Sequence, residues 1–202
     1  MPPIAPTRAA TGADLRQSIL DEARRLLIDV GYPKLSMRKI ADGVGCSATS
    51  IYLHFESKDT LIHALIGEGM RSLFGALQAA DPAGDPVGRL AALSRAYVDF
   101  GLDNPELYEV MFQLHPERMA RFPAEDYRRA RRNLDLFEDV LASGAEASVL
   151  DAEPTPEVAA HALWTSLHGL VSLRLAERID VRLAADAFTD AALARTVRAF
   201  RA

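Results

Sequence analysis

The chain has 202 residues, of which 49% are apolar and 25% charged, a composition typical of a globular protein with a sizeable core. Its single cysteine, Cys46, excludes an intrachain disulfide, and no residues have the spacing of zinc ligands. We therefore expect a cytoplasmic protein with no metal and no other cofactor. The net charge of −5 argues at first against nucleic acid, but residues 1–60 by themselves have a net charge of +1.

The chain begins with a Pro- and Ala-rich stretch, residues 1–13, which we predict to be a disordered arm rather than a signal peptide. The most apolar run, residues 158–176, contains His161, Ser166 and Arg174. These polar side chains make it a poor membrane span, so it is predicted to be a buried helix and no membrane partner is expected.

Apolar residues recur at helical spacing almost everywhere, and no clear alternating strand is present, so we predict an all-α chain of about nine helices. Gly31 is expected to end the first helix, and Gly43 and Gly45 to break the second. The stretch that begins with Asp81-Pro82 should end the fourth helix, and Gly144 with the following Glu-Pro-Thr-Pro stretch should mark the break before the eighth. The predicted helices cover about 14–30, 37–44, 48–55, 57–80, 86–101, 104–113, 124–142, 156–176 and 182–200.

Ala41, Gly45 and Ile51 are the kinds of residue that a helix-turn-helix needs. Ala41 is small enough for two helices to cross closely, Gly45 permits a tight turn, and Ile51 fills the angle from the second helix. These residue types at offsets of four and six also occur by chance. In the alternative interpretation, Ser36 and Ser47 are only helix caps.

The run from Gly31 to Leu61 resembles the signature of the TetR family of bacterial transcriptional regulators. The hallmark is a recognition helix that leads into Tyr-x-His-Phe, followed by a Lys that opens the next helix and a Leu after it. In this chain these residues are Tyr52, His54, Phe55, Lys58 and Leu61. The resemblance covers about residues 14–66, and it implies a three-helix DNA-binding head at 14–60 and a helical effector-binding and dimerisation body at 61–202.

The resemblance implies double-stranded DNA with a roughly palindromic operator as the partner. Residues that open the recognition helix would meet base edges in the major groove, where Thr49 can hydrogen-bond a base and Ala48 can contact a thymine methyl. Arg38 is long enough to reach a guanine, and the predicted phosphate contacts are Ser36, Ser50, Tyr52, His54 and Lys58. The predicted DNA-binding residues are Ser36, Arg38, Ser47, Ala48, Thr49, Ser50, Tyr52, His54 and Lys58. Met37 stands where the family commonly has Thr.

The body resembles the WHG type of C-terminal domain, through Trp164, His168 and Gly169. The eighth helix is apolar nearly all round, with a leucine side that includes Leu167 and a second side that includes Trp164, so we expect a partner subunit to cover one of them. With the alanine-rich ninth helix it would form a homodimer through about 156–176 and 182–200.

The body is also expected to hold a small apolar effector, because it is rich in aromatic and Met side chains. The predicted pocket residues are Tyr97, Phe100, Tyr108, Met111, Phe112, His115, Phe137, Trp164 and His168. Many of these can equally be plain core, and His168 is more often a satisfied core histidine than a ligand contact.

Two other classes of function are weaker interpretations. An enzyme is not favoured, because the chain lacks paired Glu-x-x-His motifs, a phosphate-binding Gly loop, HExxH and Gly-x-Ser-x-Gly. A purely structural helical dimer would leave Tyr52, His54 and Lys58 without a role. We therefore predict a regulator, taken here as a repressor that a small effector releases from DNA. Activation of transcription stays open as the alternative mode of action.

Overall fold

A computed structural model describes residues 12–82, 84–112 and 123–202 and confirms the all-α prediction. These residues form nine helices and no strand; an isolated antiparallel bridge joins Leu150 and Arg201. The helices are α1 (Gly12–Lys34), α2 (Met37–Val44), α3 (Ala48–Tyr52), α4 (Lys58–Ala80), α5 (Pro86–Asp103), α6 (Pro105–Phe112), α7 (Ala124–Glu146), α8 (Pro156–Leu175) and α9 (Ala185–Ala199). Most of the predicted arm, residues 1–11, lies outside the described residues, as does His115.

The described residues group into two compact units. The first comprises 12–66 and 110–112, and the second comprises 67–109 and 123–202. The two units divide within α4, and the predicted boundary between residues 60 and 61 also falls inside that helix.

The first unit is built on α1, whose apolar side packs into its core. Ile19, Leu20 and Ala23 are fully buried there. Gly31 (φ 73°, ψ 163°) leaves the helical conformation as expected, and one further turn follows to Lys34.

Gly43 was expected to help break α2, but it lies inside that helix. A Cβ built at Gly43 would approach Glu22 Oε1 to 2.0 Å, so this glycine leaves room for the Glu22 side chain. Only Gly45 ends the helix, in the left-handed conformation that glycine adopts without strain (φ 77°, ψ 32°).

In the second unit, α5, α7 and α8 pack on one another around a core that includes Val98, Phe137 and Val140. The predicted end of α7 at residue 142 was too early, because Gly144 continues the helix rather than stopping it. A Cβ there would meet Leu150 Cδ1 at 2.4 Å, so Gly144 makes room for Leu150.

The exposed face of α8 is not one of the two faces that the sequence predicted for a partner. Leu167 is 1% exposed and Val171 is fully buried within the chain's own core, while Trp164 is half-buried. The solvent face instead combines small and polar side chains with two exposed aliphatic ones: Val158, Ala162, Thr165, Ser166 and Leu173, beside half-buried Gly169. In the described part of the chain, no helix is long and apolar enough to cross a membrane.

Candidate nucleic-acid interface

The turn between α2 and α3 has the geometry of a helix-turn-helix. Gly45 N–H and Cys46 N–H both donate to the carbonyl of Ala41, at 2.9 and 3.0 Å, so the turn closes on the end of α2. Ala41 is 2% exposed and Ile51 is fully buried, as their predicted roles at the helix crossing require. The short α3 is therefore fixed at an angle to α2.

The residues that open α3 are short and accessible. Ser47 caps the helix, since its Oγ accepts from Ser50 N–H at 3.0 Å and lies 2.8 Å from Ser50 Oγ. Thr49 is exposed and Ala48 half-buried, so the start of the helix can approach another surface closely. The Ser50 hydroxyl, predicted as a phosphate contact, is at the same time part of the cap.

Ser36 and Arg38 lie at the opening of α2. Ser36 Oγ accepts from Lys39 N–H at 3.3 Å, which caps the helix, while the Arg38 side chain is exposed. Met37, where the family commonly has Thr, is 7% exposed. It therefore packs into the core instead of presenting a polar group.

Tyr52 and His54 follow at the end of α3, where Tyr52 is 53% exposed and His54 half-buried. Phe55 is buried, and the guanidinium of Arg16 lies over its ring at 5.0 Å from the centroid. Phe55 is thus an anchor of the core, while Tyr52 and His54 are free to meet a partner.

Lys58 is held in place by Tyr32. Its Nζ donates to the Tyr32 carbonyl at 3.0 Å and lies 3.8 Å from the centre of the Tyr32 ring. The Tyr32 hydroxyl in turn donates a short hydrogen bond to Asp59. Burial and the Asp59 carboxylate raise the pKa of Tyr32 to about 12. The side chain therefore stays a neutral donor, and it orients the ammonium group of Lys58.

Two residues that belong with this surface were missed by the sequence analysis. Leu53 is 82% exposed between Tyr52 and His54. The signal available in the sequence was an apolar residue at a position that does not lie on the buried side of α3. Tyr32 could not be found by pattern, because its contact with Lys58 joins residues 26 positions apart.

In the second unit, four of the predicted effector residues form a chain of hydrogen bonds instead of the walls of an open cavity. Trp164 Nε1–H donates to the Tyr97 hydroxyl at 2.9 Å, which lies 2.9 Å from the Tyr108 hydroxyl. Tyr108 Oη lies 2.6 Å from His168 Nδ1, and His168 Nε2 lies 3.4 Å from Ser172 Oγ. The indole can only donate, so a consistent direction runs from Trp164 to Ser172 with Nδ1 of His168 as an acceptor.

Burial governs the ionisation of the side chains in this hydrogen-bond network. It raises the pKa of Tyr97 to about 12, against the opposing effect of the hydrogen bonds with Tyr108 and Trp164. It also raises the pKa of Tyr108 and lowers that of His168. The network is therefore neutral near pH 7, which agrees with His168 as a satisfied histidine.

The remaining predicted pocket residues are distributed over both units. Phe100 and Phe137 are buried in the second, whereas Met111, buried, and Phe112, half-buried, belong to the first. Two surface grooves of the second unit lie elsewhere, one between α5 and α9 and one between α4 and α7. None of the predicted pocket residues lines either groove, and the effector pocket remains a prediction.

Two family profiles match this chain. Residues 19–65 match the profile described as bacterial regulatory proteins, tetR family, and residues 90–200 match the tetracyclin repressor-like C-terminal domain. The second profile alone covers more than half of the chain.

Individual proteins are similar as well. The HTH-type transcriptional repressor KstR2 of Mycolicibacterium smegmatis is 25% identical over 171 residues, which are 81% of this chain and 83% of the relative. The HTH-type transcriptional repressor Rv1474c of Mycobacterium tuberculosis is 42% identical over 53 residues, 26% of this chain and 28% of that one. A solved structure of a protein with unknown function from Rhodococcus sp. RHA1 shares the fold, with a TM-score of 0.80, 23% identity, and coverage of 98% of this chain and all of that one.

Proposed function

Because the chain belongs to the TetR family of DNA-binding transcriptional regulators, we propose that it is a repressor that holds a roughly palindromic operator as a homodimer until a small apolar effector releases it. Regulators of this family bind DNA and act as dimers. The repressor relatives support repression as the mode of action. In this proposal the chain acts in the cytoplasm and catalyses no reaction.

The observation that carries the proposal is the arrangement at the start of α3. Ala48 and Thr49 stand at the open end of a capped helix that the Gly45 turn presents at an angle to α2. Short side chains let a helix backbone approach base edges closely, so Thr49 would read a base and Ala48 a thymine methyl. Arg38, exposed at the opening of α2, would reach a guanine.

The phosphate contacts would come from the polar residues that surround α3. Lys58 is already oriented by Tyr32, and Tyr52 and His54 are accessible at the far end of the helix. Ser36, Ser47 and Ser50 have their hydroxyls at helix starts, where backbone N–H groups also favour an anion. These contacts fix the position of the protein on DNA and are independent of sequence.

Dimerisation would use the exposed face of α8 with the exposed side of α9. Small residues on both helices allow close approach, as a four-helix bundle between two subunits requires: Ala162, Thr165, Ser166 and Gly169 on α8, and Ala187, Ala191 and Ala194 on α9. A two-fold dimer contains two copies of α3, one for each half-site of a palindromic operator.

Selection of bound duplexes from a random DNA pool tests the DNA-binding part directly. We expect enrichment of an inverted repeat, because two identical subunits read two half-sites. A parallel selection with Thr49→Ala should return a repeat altered at one position of each half-site. Recovery of no common sequence by the wild-type chain would contradict the proposal.

Transcription in vitro from a promoter that overlaps the selected site tests the direction of control. A repressor lowers the transcript in proportion to the occupancy of the site, whereas a rise in transcript would identify an activator.

A thermal-shift screen of apolar compounds, followed by operator titration, tests release of the operator by an effector. Coupling between two binding sites is reciprocal. A true effector should therefore lower the affinity for the operator by the same factor by which the operator lowers the affinity for the effector, typically about 5–150-fold.

A further inference from the structure

A groove of about 360 Å³ runs between α4 and α7 on the second unit. Its apolar lining includes the half-buried side chains of Met70 and Phe74 and the backbone of Gly67 and Gly75. Apart from the chain neighbours of Gly75 and the backbone of its own helix, no heavy atom lies within 4 Å of a Cβ built at Gly75. The groove therefore has open space at this glycine, and its volume is in the range of small-molecule sites, about 300–1,000 Å³.

The rim of the groove is basic. Arg71, Arg129 and Arg132 line it together with a single acid, Asp126. The second unit is otherwise rich in acidic residues, since residues 61–202 contain more Asp and Glu than Lys and Arg. A basic rim in such surroundings is a local feature and does not follow from the composition.

Arg71 on α4 and Arg132 on α7 differ from the other arginines near the groove in their ion pairing. Arg128 pairs with Glu125 at 2.8 Å, and Arg129 lies 3.4 Å from Asp126. In contrast, within the described residues neither Arg71 nor Arg132 has a carboxylate within 4.0 Å. The guanidinium of Arg132 lies over the Phe74 ring, 4.5 Å from its centroid. In the described part of the chain, both arginines thus lack an ion-pair partner, and Arg132 stands against the aromatic floor of the groove.

The walls of the groove are held together by Asn133, which is 7% exposed. Its Nδ2 donates to the Met70 carbonyl at 3.3 Å and to the Ala130 carbonyl at 2.9 Å. This buried amide ties α4 to α7 next to the groove. One cross-helix hydrogen bond therefore connects the two walls before any ligand binds, and such preorganisation lowers the cost of binding.

We propose that the α4–α7 groove binds a small amphipathic organic anion, whose carboxylate pairs with Arg71 and Arg132 and whose apolar chain lies along Met70 and Phe74. Guanidinium groups match the geometry of a carboxylate and form charge-assisted hydrogen bonds with it. The aromatic floor and the open space at Gly75 suit an apolar chain and not a bare inorganic ion. That such a ligand would also act as the effector rests on the proposed function.

Calorimetric titration of the full chain with decanoate tests the site. We expect one decanoate per subunit, with decanol and acetate each binding at least tenfold more weakly, since one lacks the charge and the other the chain. Arg71→Gln and Arg132→Gln should each weaken decanoate binding by about tenfold or more, the factor for loss of a hydrogen bond to a charged group. Arg128→Gln, on the same helix but outside the groove lining, should leave binding unchanged.

Gly75→Leu is a variant designed to fill the groove, because Gly75 lines it and an added Cβ there meets open space. It should abolish decanoate binding while the melting temperature is kept or raised. Absence of decanoate binding to the wild-type chain, undiminished binding to Gly75→Leu, or equal affinity for decanol would each overturn the proposal.

Operator titration of the same samples separates this inference from the proposed function. Decanoate binding that meets every expectation but leaves operator affinity unchanged supports the groove and counts only against release through it. Failure of the ligand-free chain to bind any selected DNA counts against the proposed function and leaves the groove proposal standing.

Discussion

Lys58 is the predicted phosphate contact whose orientation is best explained by its surroundings. Its ammonium group donates to the Tyr32 carbonyl and lies over the Tyr32 ring, and Asp59 holds the ring in place through the hydroxyl. Because the long side chain is already ordered in the free protein, less rotamer entropy is lost when it meets a phosphate. These contacts distinguish Lys58 from a surface lysine whose side chain moves freely.

Replacement of Lys58 by Ala should therefore act on all DNA alike. If each subunit loses one phosphate contact, the slope of log binding constant against log salt should fall in magnitude by about 0.9 per contact, or about 1.8 per dimer. Filter binding or fluorescence anisotropy from low to moderate salt measures this slope on operator and on random DNA. Arg128→Ala, a cation on α7, is the control and should keep the wild-type slope. An unchanged slope in Lys58→Ala would contradict the assignment.

His168 offers a second prediction at the residue scale, on pH. Burial lowers its folded-state pKa, so the unfolded chain binds more protons between the two pKa values. Neutral His168 therefore stabilises the fold fully above about pH 6.5, its usual pKa, and this contribution is lost as the pH falls through the lowered pKa. Denaturant unfolding of the wild type should show stability decreasing over this range.

The control for this pH effect is a pair of histidine variants on α8. His168→Asn keeps an acceptor for the Tyr108 hydroxyl but cannot take up a proton, so its stability should depend less on pH than that of the wild type. His161→Asn, at an exposed position on the same helix, should preserve the wild-type dependence. Identical pH profiles for all three chains would show that His168 does not couple folding to protons.

At the scale of elements, glycines separate into those that shape the backbone and those that do not. Gly45 has a positive φ, whereas Gly75 lies in the interior of α4, and a Cβ at either position meets no atom within 4 Å. Gly45→Ala should thus destabilise the fold by roughly 1–2 kcal/mol through backbone strain alone. Gly75→Ala should stabilise it by about 0.5–1 kcal/mol, since alanine loses less backbone entropy in a helix. Denaturant unfolding measures both, and the same sign for both would refute the distinction.

This distinction also explains what the sequence could predict about the elements. The helices follow from apolar spacing, and Ser47, Asp81-Pro82 and Pro156 mark their limits by local chemistry that is readable in a single sequence. Gly43 and Gly144 misled the prediction because their reason is tertiary: each gives space to a side chain from elsewhere in the chain, Glu22 and Leu150.

The same limit applies to the candidate sites. The predicted DNA-binding residues occupy one short run, so the signature was visible in the sequence, and in the structure each of them is exposed or half-buried. The chain of hydrogen bonds from Trp164 through Tyr97 and Tyr108 to His168 joins positions as many as 67 residues apart. No local pattern reports such a pairing, so the sequence could not show that these predicted pocket residues bond to one another.

For the whole molecule, the proposed dimer depends on the face of α8 that the single chain leaves open. Leu167, on one of the two faces that the sequence offered to a partner, is already buried within the subunit. A charge there would unfold the chain and say nothing about association. Gly169 is the better probe, because it is half-buried on the open side and a Cβ built there meets no atom within 4 Å.

Gly169→Glu should accordingly separate association from folding. In the single subunit the added side chain points into open space and replaces a helical glycine, so the fold should be kept. In the dimer it would place an unpaired charge, twice across the two-fold axis, in a closely packed interface, which costs several kcal/mol. Sedimentation equilibrium should show monomers, and circular dichroism should show native helical content. Operator binding should weaken because one monomer cannot occupy both half-sites at once. Gly75→Glu, the same exchange at an open position on α4, should remain dimeric. A dimer of Gly169→Glu as tight as the wild type would move the interface away from this face of α8.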